Sequence, residues 1–291
     1  MKKLSKTPVE VFCFDVDSND SGFRTAIHQQ YCKYIKSTCV KPRKSEPYIK
    51  VGICSLGSTV AGGTAIHPVI ICPQRFKEEI MFETIRKKYL SHWKNIKWVQ
   101  EVNIGVGGNV DYVAVELNNK GDVNDFLCVE IQAAGTTGTP YPAVQDLINT
   151  GRFQSSSYKY GINWANEFTK TMMQQAYKKG KIVQSWKRKI VFVVQDLAMK
   201  YLFKTSDCSL VVDGSSPQNP IDFCTFSLQY NGNEWHLQFD AIRSTSIEGV
   251  NKILGGADVS EYLTEKEFMD NILRKGISDG VLQYPKHSFF M

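Results

Sequence analysis

Two apolar segments of this chain carry acidic residues in a pattern that suits metal binding. They are Val-Asp-Tyr-Val-Ala-Val-Glu at 110–116 and Phe-Leu-Cys-Val-Glu-Ile-Gln at 126–132. Alternate residues of a strand share a face, so Glu130 and Gln132 lie on one side, roughly 7 Å apart at about 3.3 Å per residue. A carboxylate within such a strand is costly unless it is paired or binds a metal. If the strands are neighbours, Asp111 can share that metal with Glu130.

Paired carboxylates of this kind suit the hydrolysis of a phosphodiester. Asp111, Glu130 and the main-chain carbonyl of Ile131 could hold one Mg²⁺, which lowers the pKa of a bound water and bridges a phosphate oxygen. In the usual arrangement a lysine stands two residues after the glutamate, where this chain has Gln132. A glutamine supplies no charge, but it can orient a water molecule through hydrogen bonds.

A further metal ligand could come from either of two glutamates that precede Asp111. Glu101, on the preceding predicted strand, is the preferred candidate, and Glu83, on a predicted helix, is the alternative. The pattern Asp…Glu-x-Gln is loose. The competing interpretation is that Asp111 and Glu130 merely face solvent on an antiparallel sheet.

A second group of residues with metal-binding chemistry lies near the N-terminus. Of the eight cysteines, four fall within a short basic segment rich in glycine turns: Cys32, Cys39, Cys54 and Cys72. Four thiolates suit a tetrahedral Zn²⁺ or Fe site, and His28 or His67 could each replace one of them. The alternative is four unrelated buried thiols. The other cysteines (Cys13, Cys128, Cys208, Cys224) are scattered, and three have mostly apolar neighbours, which is typical of small buried side chains.

Secondary-structure patterns place the acidic segments in an α/β fold. Helical periodicity predicts an amphipathic helix at 77–91, and strand patterns follow at 96–104, 110–117 and 126–132. Helices at about 142–149 and 164–180 precede a central apolar strand at 189–195. Short strands at about 208–212, 222–229 and 234–241 and a helix at about 264–274 complete the series. This succession predicts a mixed sheet flanked by helices.

Composition bounds the class of protein. The 291 residues have 42% apolar content and a net charge of +6, which fits one sizeable core and a polyanionic partner. Several short clusters of lysine and arginine could contact phosphates. No apolar run reaches the 18 residues of a membrane span, and no apolar core of a signal peptide follows the N-terminal lysines. We therefore expect a cytoplasmic protein with no membrane partner.

Taken in order, the cysteine segment and the acidic strands resemble the NotI-type restriction endonucleases. The resemblance covers roughly residues 25–150 and rests on the four cysteines, on Asp111, and on the run from Glu130 to Pro142 (Glu-Ile-Gln-Ala-Ala-Gly-Thr-Thr-Gly-Thr-Pro-Tyr-Pro). It implies a PD-(D/E)XK nuclease core with a Glu-x-Gln active site, preceded by a small four-cysteine metal-binding module. The chain departs from the wider superfamily at Val110, where proline is common, and at Gln132, where lysine is common.

The resemblance also implies roles and partners. Cys32, Cys39, Cys54 and Cys72 would bind one structural iron or zinc ion, and Asp111, Glu130, Gln132 and Glu101 would form the catalytic set with Mg²⁺. Residues 1–76 would hold the cysteine module, and residues 77–291 the catalytic core with a strand-rich C-terminal elaboration. Such enzymes act as homodimers on palindromic double-stranded DNA in prokaryotes, and a cognate DNA methyltransferase is expected to accompany them.

Two other functions fit the same residues. The first is another nuclease built on the same core, such as a repair or mobile-element enzyme. The second is a nucleic-acid-binding protein that uses the cysteine module and whose acidic strands are only structural.

Overall fold

The computed structural model describes residues 2–43, 46–155, 158–255 and Lys266. Those up to residue 255 belong to one compact unit, Met1–Gly256. Residues 257–291 form a second unit, of which only Lys266, in a helix, is described. The helix expected at about 264–274 therefore lies, apart from that residue, outside the described residues.

Short strands and one helix make up the N-terminal part of the chain. They are β1 (Pro8–Val11), β2 (Phe14–Asp15), α1 (Ser21–Gln29), β3 (Tyr31–Cys32), β4 (Ser37–Thr38), β5 (Pro42–Arg43), β6 (Glu46–Lys50), β7 (Ile53–Ser58), β8 (His67–Ile70) and a 3-10 turn at Pro73–Phe76. Four of these strands form an antiparallel sheet in the order β2-β1-β7-β8.

Longer elements follow and build the main sheet and its helices. They are α2 (Glu79–Tyr89), β9 (Ile96–Asn103), a 3-10 turn at Gly105–Gly107, β10 (Asn109–Leu117), β11 (Val123–Gln132), β12 (Thr136–Thr137), α3 (Tyr141–Thr150), β13 (Gly161–Ile162), a π-helical segment at Ala165–Met172, α4 (Met173–Ser185), β14 (Ile190–Gln195), α5 (Asp196–Thr205), β15 (Val211–Asp213), β16 (Ile221–Tyr230), β17 (Trp235–Thr245) and α6 (Ile247–Ile253).

The main sheet is mixed, as the sequence predicts. Its seven strands run in the order β15-β17-β16-β14-β11-β10-β9. The inner strands β11, β14 and β16 are parallel to one another, and the remaining pairings are antiparallel. Strand β14 lies in the middle and all its residues are buried, which is typical of a parallel strand covered on both faces.

Helices cover both faces of this sheet. Phe192 of β14 packs in the core that includes Ala176 of α4. Its neighbour Val193, on the opposite face of the strand, packs in the core that includes Ile85 of α2. The predicted α/β class with a mixed sheet flanked by helices is therefore confirmed.

Most positions of the predicted elements from residue 77 to residue 245 agree with the structure, with some differences at their ends. The helix predicted at 164–180 continues to Ser185 and starts with the π-helical segment. The strand predicted at 208–212 begins only at Val211, and the one predicted at 234–241 extends to Thr245. The prediction gave no helix at α1, α5 or α6. Within the described residues no helix is both long and apolar enough to cross a bilayer.

The N-terminal strands and the main sheet share buried side chains. Ile53 of β7 and Phe192 of β14 belong to the same hydrophobic cluster. The side chain of Gln195, at the end of β14, makes two hydrogen bonds to β8. It accepts from the Ile70 N–H at 2.8 Å and donates to the Pro68 carbonyl at 2.6 Å. The division of the chain after residue 76 remains a prediction.

Candidate active site and cysteine pocket

Three acidic residues lie side by side on neighbouring strands of the main sheet. The antiparallel registers of β10 with β9 and with β11 place Asp111 between Glu101 and Glu130. Asp111 is near the start of β10, and Glu130 is near the end of β11. Because a hairpin joins the two strands, its register places these residues opposite each other. The neighbouring strands that the sequence argument required are therefore present.

The two carboxylates of Asp111 and Glu130 are held differently. Asp111 Oδ2 accepts a hydrogen bond from the Ile131 main-chain N–H at 2.7 Å. Glu130 is only 7% exposed, and its Oε1 accepts from the Lys179 ammonium at 2.6 Å. Its other oxygen, Oε2, is buried and has no hydrogen-bond partner among the described residues. Since an unpaired buried oxygen is costly, Oε2 is a position that a cation would satisfy.

Both carboxyl groups hold their protons more tightly than usual. Burial and the neighbouring charge of Asp111 raise the pKa of Glu130 to about 7, although Lys179 opposes the shift. Burial also raises the pKa of Asp111, which Glu101 reinforces and the Ile131 N–H and Lys179 oppose. Two carboxylates that repel each other in a desolvated place favour a divalent cation between them.

Lys179 is a member of this site that the sequence argument missed. The residue is only 3% exposed. Besides its bond to Glu130, its Nζ donates to the Asn109 carbonyl at 2.7 Å and to Gln175 Oε1 at 3.4 Å. In the sequence it belongs to a basic cluster that resembles a solvated helix face. Helical periodicity is the sequence feature that could have revealed it. Lys179 lies on the same face of α4 as the buried Ala176 and Val183.

A glycine next to Lys179 lets α4 approach the sheet. A Cβ atom at Gly180 would lie 2.6 Å from Ile221 Cδ1, so a larger residue would push the helix outward. Because Lys179 is the adjacent residue, the short distance between its ammonium and Glu130 depends on this close packing.

The other candidate catalytic residues occupy different surroundings. Glu101 is exposed and has a φ of 53°. Such a left-handed residue is costly in a strand and is often found where a side chain is re-aimed. Glu83 is exposed and pairs with Lys87 at 3.5 Å. Gln132 is half-buried, and its Nε2 donates to the Ala133 carbonyl at 3.0 Å. The structure thus places Glu101, and not Glu83, beside Asp111.

All four cysteines of the predicted module line one small pocket, and Cys13 joins them. The cavity measures about 10 Å³, which is roughly the space that one water molecule or one ion needs. Cys13 Sγ lies 3.5 Å from Cys32 Sγ. All five thiols are buried. Cys13 was expected to be a small buried side chain, and it is buried as expected, but it lies beside the four cysteines of the predicted module.

Burial and neighbouring groups raise the pKa values of Cys32 and Cys72, and nearby main-chain N–H groups oppose the shift. The opposing groups are those of Ile35 and Tyr34 at Cys32, against the larger effects of Cys13 and burial, and that of Gln74 at Cys72, against the larger effect of burial. Such donors stabilise a thiolate, which is the form that binds metals. In the part of the chain that the structure describes, however, no three His, Cys, Asp or Glu side chains already stand in metal-binding geometry. The metal-binding module therefore remains a prediction, and the cysteines that line the pocket are of the residue type it requires.

Neither histidine proposed as a substitute ligand belongs to this pocket. Its described lining contains cysteines, aromatic and aliphatic residues, Gly52 and Gln74, without His28 or His67. His28 is exposed in the last turn of α1, and His67 lines a different cavity, beside Pro68 and Gln195.

Comparison with known proteins identifies a family. The family model described as restriction endonuclease NotI matches residues 25–210, which is more than half of the chain. The match includes Asp111, Glu130 and Lys179, as well as four of the five cysteines around the pocket. Cys13 precedes it. No curated protein matches the chain significantly.

Proposed function

The chain belongs to the NotI restriction endonuclease family, and on that premise we propose that it is a type II enzyme that cuts double-stranded DNA at a specific palindrome with Mg²⁺. Membership makes it a nuclease that binds DNA. The observation that carries the metal-dependent mechanism is the buried Glu130 Oε2, which has no hydrogen-bond partner among the described residues and lies on a carboxylate adjacent to Asp111.

Asp111, Glu130 and the carbonyl of Ile131 are the proposed Mg²⁺ ligands, with Glu101 as a further candidate. When bound, Mg²⁺ would acidify the attacking water and neutralise charge on the phosphate. The Ile131 N–H fixes one oxygen of Asp111 at 2.7 Å, which leaves the other oxygen to face the cation. Gln132, whose amide already reaches a neighbouring carbonyl, would position the attacking water.

Lys179 is proposed to supply the positive charge that Gln132 cannot. Its ammonium lies 2.6 Å from Glu130 Oε1, so it occupies the neighbourhood in which the usual lysine of the Glu-x-Lys pattern would act. A fixed ammonium in a desolvated site stabilises negative charge that develops during the reaction. Because it comes from α4, it needs no place in the strand motif.

The cysteine pocket is proposed to hold one structural Fe or Zn ion. Buried thiols, amide donors and a cavity of about 10 Å³ fit a single ion held by four thiolates. A basic residue balances part of the resulting negative charge, because Lys41 lowers the pKa of Cys72 against the larger effect of burial. Such an ion would stabilise the region of short strands from β3 to β8.

We further propose that two copies act together on DNA. A palindromic site has two equivalent strands, and a twofold dimer presents one active site to each of them. The cationic side chains near the acidic site include Lys77, whose charge lowers the pKa of Asp111 against the dominant effect of burial. Cleavage in the cell requires protection of the host DNA, so we expect a cognate methyltransferase and a cytoplasmic location.

A digest of plasmid and phage DNA of known sequence with Mg²⁺ tests this function. Discrete bands that map to one palindrome are expected. A smear or structure-dependent cutting would indicate a different nuclease activity, and no cleavage by the folded protein would contradict the proposal.

Substitution of Glu130 tests the assigned site. Glu130→Ala should abolish cleavage and leave DNA binding in Ca²⁺ intact. The matched control is Glu116→Gln, which changes a half-buried carboxylate farther along the strand that carries Asp111. The control should cut at the rate of the unmodified protein. Cleavage by the Glu130 variant would overturn the assignment.

A further inference from the structure

The turn between β9 and β10 projects an apolar side chain into solvent. Val106 lies in the 3-10 turn Gly105–Gly107 and is 94% exposed. Among the described residues, no large apolar side chain is more exposed. Single exposed apolar residues are common on protein surfaces. Val106 differs from most of these because glycine precedes and follows it in the chain, so it is the one side chain at the tip of a thin turn.

Hydrogen bonds hold this turn in one shape. The Ile104 N–H donates to the Gly108 carbonyl, and the Gly108 N–H donates to the Gly105 carbonyl, both at 2.9 Å. At the base of the turn, Asn103 Nδ2 donates to Asn109 Oδ1 at 3.0 Å, and Asn103 Oδ1 accepts from the Gly105 N–H at 2.9 Å. Gly105 and Gly108 have φ values of 79° and 77°, which glycine adopts without strain. A turn that is already ordered loses little entropy when its tip makes a contact.

Two contacts anchor the turn to the candidate active site. The Asn109 carbonyl, just after the turn, accepts from Lys179 Nζ at 2.7 Å, and the same ammonium contacts Glu130. A Cβ atom at Gly107 would lie 3.0 Å from Ile182 Cδ1, so the turn packs against α4, the helix that carries Lys179. The position of the turn is therefore fixed relative to the acidic residues.

The distance from the turn to the metal ligands can be bounded from the sequence. Val106 precedes Asp111 by five positions, so their Cα atoms are at most about 18 Å apart. At 3.4 Å for each base-pair step, this span corresponds to about five steps of a DNA duplex. Lys178 and Lys181, on the helix that the turn contacts, are exposed and can pair with phosphates on either side. DNA bound at the acidic site would therefore pass over Val106.

We propose that Val106 enters the minor groove of bound DNA beside the scissile phosphate and partly unstacks one base-pair step. The proposal rests on the proposed function, because the metal-bound phosphate brings the duplex to this edge of the sheet. Apolar side chains that enter the minor groove act as wedges between base pairs and kink the duplex. That groove is only about 6 Å wide, which suits a thin turn with a single side chain. Valine is also stiff at χ1, so little side-chain freedom is lost. Val106 is thus a positioning residue for the reaction.

Fluorescence of 2-aminopurine in bound DNA tests this wedge, because its emission rises when the base is unstacked. The duplexes carry the site mapped by the digest, with 2-aminopurine placed singly at positions up to about five steps from the cut. At saturating protein in Ca²⁺, the unmodified chain should raise the emission several-fold at one position. Val106→Ala should lose most of this rise. It should also bind about 10-fold more weakly, because two methyl groups are no longer buried.

Three further variants separate the wedge from other effects. Val123→Ala is the matched control, since Val123 is a 59% exposed valine at the far end of β11 from Glu130. It should keep both the fluorescence rise and the affinity. Val106→Leu should also keep the rise, because it restores an apolar side chain, whereas Val106→Asn should not. Loss of the rise in Val106→Leu would show that the shape of the turn matters and that the apolar wedge is wrong.

The outcomes separate this proposal from the proposed function. An unmodified protein that cuts DNA but raises the emission at no position would overturn the wedge and leave the nuclease assignment intact. An undiminished rise in Val106→Ala would do the same. If Val106→Ala instead dissociates a dimer in sedimentation and keeps the rise, the tip is a contact between two copies of the chain. Absence of cleavage by the folded unmodified protein would refute the proposed function, and the wedge with it.

Discussion

Replacement of Glu130 by glutamine is expected to stabilise the metal-free protein while it abolishes cleavage. Burial and the charge of Asp111 raise the pKa of Glu130 from 4.5 to about 7. At 1.36 kcal/mol for each pH unit, this difference corresponds to about 3 kcal/mol. The ionised carboxylate of Glu130 therefore destabilises the folded state. Glutamine, a neutral side chain of the same shape, avoids this cost.

The direction of the pH dependence follows from proton linkage. Between about pH 4.5 and pH 7 the folded protein keeps the proton of Glu130, while the unfolded chain has lost it. Stability from this group is therefore fully present below 4.5 and is lost as the pH rises through about 7. At pH 8 we expect the free energy of unfolding of Glu130→Gln to exceed that of the unmodified protein by up to about 3 kcal/mol. Near pH 4.5 we expect this difference to vanish.

Urea unfolding in EDTA at pH 5 and pH 8 measures this difference. Glu116→Gln is the control, because a hydrogen bond from Asn124 and one from the Lys94 N–H lower the pKa of Glu116, so its loss should give no gain at pH 8. Added Mg²⁺ should raise the stability of the unmodified protein by mass action and leave Glu130→Gln unchanged. A Glu130→Gln variant that is no more stable than the unmodified protein at pH 8 would refute the reasoning.

Three further outcomes are expected. Lys179→Met should slow cleavage by at least about 100-fold with DNA affinity retained, whereas the exposed Lys178→Met should not; equal rates would exclude Lys179 from the reaction. Because protons compete with Mg²⁺ at Glu130, cleavage at low Mg²⁺ should rise with pH through about 7, and the midpoint should move to lower pH as Mg²⁺ increases; a fixed midpoint would contradict this competition. Arg75→Met should lower the free energy of unfolding, measured with urea, by about 3–5 kcal/mol, because it leaves the buried Glu10 without its ion-pair partner. Arg43→Met, at a more exposed ion pair, should lower it by less than about 1 kcal/mol.

The sequence was sufficient to predict the acidic strands and their order. Strand patterns identified β10 and β11, and the condition that they be neighbours is met by the hairpin that brings Asp111 level with Glu130. Apolar patterning also predicted β14 as a central strand. These features depend on local signals, which one sequence contains.

Contacts between distant segments could not be predicted in the same way. Lys179 is 49 residues from Glu130 in the chain, and its burial depends on how closely α4 packs at Gly180. Cys13 approaches Cys32 from the turn between β1 and β2, where Phe12 and Cys13 both have left-handed backbone. Such turns favour Asn-Gly, so the residue types gave no indication of it. The Arg75–Glu10 pair, 65 residues apart, has no local signature either.

The proposed role of Lys179 would explain why this site departs from the common strand motif. A lysine at position 132 would approach from the strand itself, whereas Lys179 reaches Glu130 from α4 and is fixed by the Asn109 carbonyl. The ammonium is thus positioned by helix packing. In the proposed mechanism, position 132 is then available for a neutral side chain that can hold water, and Glu-x-Gln and the buried helix lysine would be two parts of one arrangement. Exchange of Gln132 for lysine should consequently not rescue Lys179→Met, because its longer flexible side chain lacks the support of α4.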